Sequence, residues 1–142
     1  MDAKETGFNF LGFTLQMSQG AKTGKWYPNV RPSDKAVTKM TAKVTEMTRR
    51  ELTCIPLDDV VGSVNRSLRG WANYFHFRNS SLAMSKVRNH AEQRLRIHLR
   101  KRHNVKTWKA GYAKFPSLDL YDRHGLHPLP KGPGWQTAHA LV

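Results

Sequence analysis

Acidic residues are scarce in this 142-residue chain: ten Asp and Glu stand against twenty-four Lys and Arg, and Cys54 is the single cysteine. One thiol excludes an internal disulfide and any cysteine-based zinc cluster, and it suits a reducing cytosol. No apolar run approaches the roughly 20 residues of a membrane span. Asp2, Lys4 and Glu5 stand where a secretory signal would need its apolar segment. The chain is therefore expected to be cytoplasmic, with no membrane partner.

Complete catalytic constellations are missing as well. There is no His-Glu-x-x-His, no nucleophile elbow, no glycine-rich phosphate loop and no Cys/His pair with a third member. Asp58 and Asp59 are the one adjacent acidic pair, and a place in the first turn of a helix explains them without chemistry. His98 and His103, and His124 and His127, are pairs with no evident carboxylate or cysteine partner. The segment Asp122-Arg123-His124-Gly125-Leu126-His127-Pro128 faintly resembles the His-rich core of small nucleases, but only His139 follows it. No catalytic residue, no metal site and no cofactor are expected in this chain.

What the chain does have is positive charge, net +14 in all. It is unevenly placed: residues 79–115 carry ten Lys/Arg and one acid, net +9. Such local excess costs stability through self-repulsion and usually serves a polyanion.

Patterning predicts a mainly α protein. Phe8, Phe10, Leu11, Phe13 and Leu15, then a turn with two glycines, then Lys25–Val30, predict a small β-hairpin with Pro28 on an edge. Ser33 caps a first helix whose stripe is Val37, Met40, Val44 and Met47, ending near Leu52. A second helix begins after Pro56 and gathers Val60, Val61, Val64, Leu68, Trp71, Ala72 and Phe75 in one arc, with Arg66, Arg69 and Asn73 opposite. Gly70 inside it suggests a close approach by another backbone or a ligand. A third long helix runs to about Arg102, with Met84, Val87, Ala91, Leu95 and Leu99 inward and Lys86, Asn89, Gln93, Arg96 and Arg100 on the far face. A short helix over about 106–114 follows, broken by Pro116. Residues 1–6 read as a ragged start. Residues 116–142 read as an irregular Pro/Gly-rich tail, disordered from Lys131, with Leu118, Leu120, Tyr121, Leu126 and Leu129 able to dock.

The candidate nucleic-acid contacts follow from these faces. They are Arg66, Arg69 and Asn73 on the second helix, Lys86, Arg96, Arg100, Lys101 and Arg102 on the third, and Lys106, Trp108 and Lys109 after it. Arginine and lysine neutralise phosphates and release counterions. Trp108 is either a core anchor or a stacking platform for an unpaired base.

The order of motifs is specific. Phe10-Leu11-Gly12-Phe13, Val30-Arg31-Pro32-Ser33, Leu68-Arg69-Gly70-Trp71-Ala72-Asn73-Tyr74-Phe75 and Arg102-His103 resemble the end of a group II intron-encoded reverse transcriptase, over about residues 7–129. The first piece is similar to the last motif of the polymerase palm, and the rest to the thumb, also called the maturase or X domain. The resemblance implies an end-of-palm hairpin at 1–31 and a three-helix thumb at 32–115. It implies binding of intron RNA and template–primer duplex, in splicing and reverse transcription, beside the palm and fingers of a parent RNA-directed DNA polymerase. That polymerase would need Mg2+. Its Tyr-x-Asp-Asp motif is not in this chain and is expected before residue 1. In the matching string, Arg69, Asn73 and Tyr74 are the members free to face RNA. The alternative is a DNA-binding module of a mobile element or regulator.

Overall fold

The computed structural model describes residues 7–132. The expectations for residues 1–6 and for most of the stretch after Lys131 lie outside it. The architecture is mainly α, with a small antiparallel sheet at its start.

The sheet has strand order β1 (Phe8–Phe10), β2 (Phe13–Gln19), β3 (Trp26–Pro32). The apolar run expected as one strand is folded in two. Leu11 and Gly12 both have positive φ, 54° and 86°, the geometry of a tight two-residue hairpin turn. Phe10 then faces Phe13, and Phe8 faces Leu15. The second hairpin pairs Phe13 with Pro32 through to Gln19 with Trp26. Pro28 does lie on the outer strand, where its missing N–H costs no ladder bond. Two residues further on, Asn79 closes that edge: its side chain accepts from Val30 N, and its own N–H donates to Val30 O at 2.9 Å.

Helix α1 (Asp34–Met47) starts as expected, with the Ser33 hydroxyl accepting from Ala36 N at 3.1 Å. It ends earlier than expected, at Thr48, and a 3-10 turn over Arg50–Cys54 fills the remainder. Helix α2 (Leu57–Phe75) buries Val60, Val61, Val64, Leu68 and Ala72, with Trp71 and Phe75 half-buried beside them. Helix α3 (Ser81–Arg102) puts Met84, Val87, Ala91, Leu95 and Leu99 into the centre. These stripes at helical spacing bury against one another, and apolar area removed from water is what holds the three helices together.

The two motif strings of the resemblance meet in space. The Leu11–Gly12 turn rests on the C-terminal end of α2, where Tyr74 Oη donates to Leu11 O at 2.8 Å. Phe13 packs against the rings of Tyr74, Phe75 and Phe77 at 5.2–6.0 Å between centroids. A Cβ on Gly12 would lie 3.0 Å from Phe75 Cζ, so the turn needs glycine for space as well as for its φ. Tyr74 thus ties sheet to helix through its hydroxyl, while the side chain stays about half exposed.

The C-terminal stretch corrects a second expectation. The short helix expected before Pro116 is present as α4 (Trp108–Lys114), but the stretch after it, expected to be irregular, forms a further helix α5 (Ser117–Asp122). Leu120, Leu126 and Leu129 dock in the core beside Phe115 as expected, whereas Leu118 stays exposed. The Asn65 side chain clamps this stretch to α2, donating to Gly125 O at 2.8 Å and accepting from His127 N at 2.7 Å. Tyr121, whose hydroxyl is held well above its ordinary pKa by burial and by a hydrogen bond with Glu92, joins α5 to α3. Irregular backbone therefore completes the core through residue 129. Among the described residues, no helix is long and apolar enough to cross a membrane.

Candidate nucleic-acid interface

The end of α3 and the helix after it build a cationic platform. Asn104 takes φ 58°, Val105 N donates to Arg100 O at 2.8 Å, and Asn104 N reaches Lys101 O. This left-handed cap satisfies the last carbonyls of α3 and turns the chain back. Helix α4, capped by the Thr107 hydroxyl on Ala110 N, then lies beside α3. Gly111 allows the approach: a Cβ there would come within 2.5 Å of Arg100 Cδ.

That approach stacks cations on aromatics. The Arg100 guanidinium lies 4.6 Å from the Trp108 ring centre and donates to Lys106 O at 2.8 Å. The Arg96 guanidinium lies 4.2 Å from the Tyr112 ring. Trp108 and Tyr112 pack on each other at 6.2 Å, each about half exposed. Trp108 is therefore not a core anchor. Lys101, Lys106 and Lys109 are exposed and have no carboxylate partner among the described residues. Arg50, Arg100, Lys101 and Lys106 surround a pocket of about 280 Å3 with no acid in its lining.

Arg96 does not stand on a free face. It is 1% exposed, with Nε donating to Phe115 O at 2.8 Å and one terminal nitrogen donating to Ser117 Oγ at 2.9 Å. The polar stripe of α3 is open at Lys86, Asn89 and Gln93 and covered further on, because α4 and α5 fold over it. Arg102 is likewise half-buried and committed, donating to Ile55 O at 2.6 Å and Leu52 O at 3.4 Å. Both are structural arginines.

Arg102 also fixes a buried histidine. His98 Nδ1 meets Thr48 O at 3.1 Å, while the Arg102 guanidinium meets His98 Nε2 at the same distance. The ring is neutral, donating through Nδ1 and accepting at Nε2. Burial holds its pKa below the ordinary 6.5, opposed by the Thr48 carbonyl and assisted by Arg102. Burial lowers His90, His124 and His127 in the same way. Below about pH 6.5 the unfolded chain takes up protons that the folded chain resists, so stability falls as pH drops. Thermal melts should show the loss beginning below pH 6.5. His98→Asn, which keeps a donor toward Thr48 and cannot titrate, should lose less of its stability over that interval.

The remaining sequence candidates are scattered. Arg69 and Asn73 are exposed, and their side chains make no hydrogen bond among the described residues. Lys86 is exposed but fifteen residues before Lys101, about 22 Å along the helix. Arg66 lines a separate groove opposite Lys35, Lys39 and Lys43 of α1. Those three lysines were missed. Their spacing of four residues, one helical face, was the available signal, outweighed by the denser charge downstream. Among the described residues no three His, Cys, Asp or Glu converge on a metal-sized site.

Residues 37–115 match the family model described as group II intron, maturase-specific domain. The chain belongs to that family. The match spans α1 through α4, which includes the platform, and it gives this maturase domain a role in group II intron splicing. No curated protein and no solved structure matches the chain.

Proposed function

We propose that this maturase domain binds intron RNA through the platform at the α3–α4 junction and assists splicing without catalysing a step itself. The observation that supports this reading is the cluster of Arg50, Lys101, Lys106 and Lys109, exposed around an Arg100–Trp108 stack. Lysine ammonium groups neutralise phosphates, and the aromatic faces stack on a base or lie over a sugar. In a full-length reverse transcriptase the same domain would hold template–primer duplex beside the palm and fingers. The Mg2+ of that enzyme finds no fitting donor set among the described residues here.

The test is binding of a labelled group II intron fragment to the full chain across salt concentrations, with duplex DNA of equal length as competitor. Four phosphate contacts predict a log–log slope of about −3 to −4. Intron RNA should hold against the DNA competitor. A flat salt response would overturn the reading, and stronger competition by DNA would favour a DNA-binding module instead.

A further inference from the structure

The groove between α1 and α2 lies apart from the platform and has a different chemistry. It has a volume of about 800 Å3, and the turn between β1 and β2 contributes to its lining. Pockets of roughly 300–1,000 Å3 are the size that holds small organic groups. One wall carries Lys35, Lys39 and Lys43; the other carries Arg66 and Trp71. No acidic residue lines it. The lysine row spans eight residues, about 12 Å, the length of a few nucleotides of one strand.

Two details go beyond a merely basic surface. Trp71 and Phe75, with rings 4.9 Å apart, give the groove an aromatic lining. Gly70 leaves its side of the groove open, with no atom within 4 Å of where a Cβ would stand. So the glycine serves neither a backbone approach nor helix stability, since it costs the helix about 1 kcal/mol against alanine.

We propose that this groove receives an unpaired nucleotide of an RNA strand: its base lies against Trp71, and Lys35, Lys39, Lys43 and Arg66 hold the flanking phosphates. A base is a flat ring that stacks on an indole face, and phosphates are the anions that an acid-free lysine row attracts. Double-stranded RNA presents no free base face and stays outside. The proposal rests on the domain being an RNA binder and adds a second, strand-selective site to it.

Gly70→Leu tests it on the full chain, because the new side chain fills the groove while improving the helix. Lys39→Glu is the second variant, exposed and away from the core. The probes are a labelled short oligoadenylate, the same strand with one abasic position, free AMP, and a blunt RNA duplex. Either variant should bind oligoadenylate about tenfold or more weakly and bind the duplex as wild type does. Gly70→Leu should melt no lower than wild type, and the abasic strand should bind wild type more weakly than the intact one. Unchanged oligoadenylate affinity in Gly70→Leu, or equal binding of abasic and intact strands, overturns the proposal. So does AMP competing as well as the strand. In each of those cases duplex binding would still stand for the platform; loss of all RNA binding in wild type would instead remove both readings.

Discussion

Arg96→Ala should destabilise the domain by about 3–5 kcal/mol, although a basic stripe on a helix usually tolerates alanine. Four losses combine. The Phe115 carbonyl loses the Nε donor that reaches it at 2.8 Å, and Ser117 Oγ loses its partner at 2.9 Å. The guanidinium also leaves the Tyr112 ring, and its volume becomes a void under α4 and α5, because the side chain is 1% exposed. Arg96→Lys should recover only part of this, since an ammonium cannot reproduce the two directed bonds of the fork. Urea or thermal denaturation measures the difference, and an unchanged midpoint for Arg96→Ala would show that the arginine is not a packing element. The consequence reaches the functional tests: RNA affinity lost with Arg96 would report unfolding rather than a missing phosphate contact.

Lys101→Ala with Lys106→Ala and Lys109→Ala carries the opposite expectation, a stable protein with little RNA affinity. The three side chains are exposed and without carboxylate partners among the described residues, so their removal should move the melting temperature little. Each phosphate contact contributes about 0.7–0.9 to the salt slope, so the triple variant should flatten it by 2 or more and weaken binding roughly 100-fold near 0.1 M salt. Wild-type affinity in this variant would move the interface away from the α3–α4 junction. Equal losses at all salt concentrations would show that the lysines act on the fold and not on phosphates.

Much of the scaffold was legible because its signals are local. The Ser33 cap, the α2 arc from Val60 to Phe75 and the α3 stripe from Met84 to Leu99 each depend on residues within a few turns of one another. The break at Leu11–Gly12 was hidden by a run of apolar residues on both sides of it. The C-terminal stretch was harder for another reason. Leu126 and Leu129 carry no periodicity, and what buries them is the Asn65 clamp more than sixty residues away.

The candidate site shows the same division. Composition placed the charge in residues 79–115 but did not say which cations remain in water. Arg96 and Lys101 are five residues apart on one helix, yet one is buried under α4 and α5 and the other is free. Trp108 could be read as core or surface, and the αL turn at Asn104 set it outside, beneath Arg100.

By itself, then, the sequence determined the helical class, the three apolar stripes and the surplus of positive charge, since periodicity and composition are properties of neighbouring residues. Only the tertiary structure decided which arginines hold the fold, which lysines stay exposed, and that Lys35, Lys39 and Lys43 face Arg66 and Trp71 across a groove. Exposure is settled by what the chain lays over a residue, and here the covering segments come from far along the sequence.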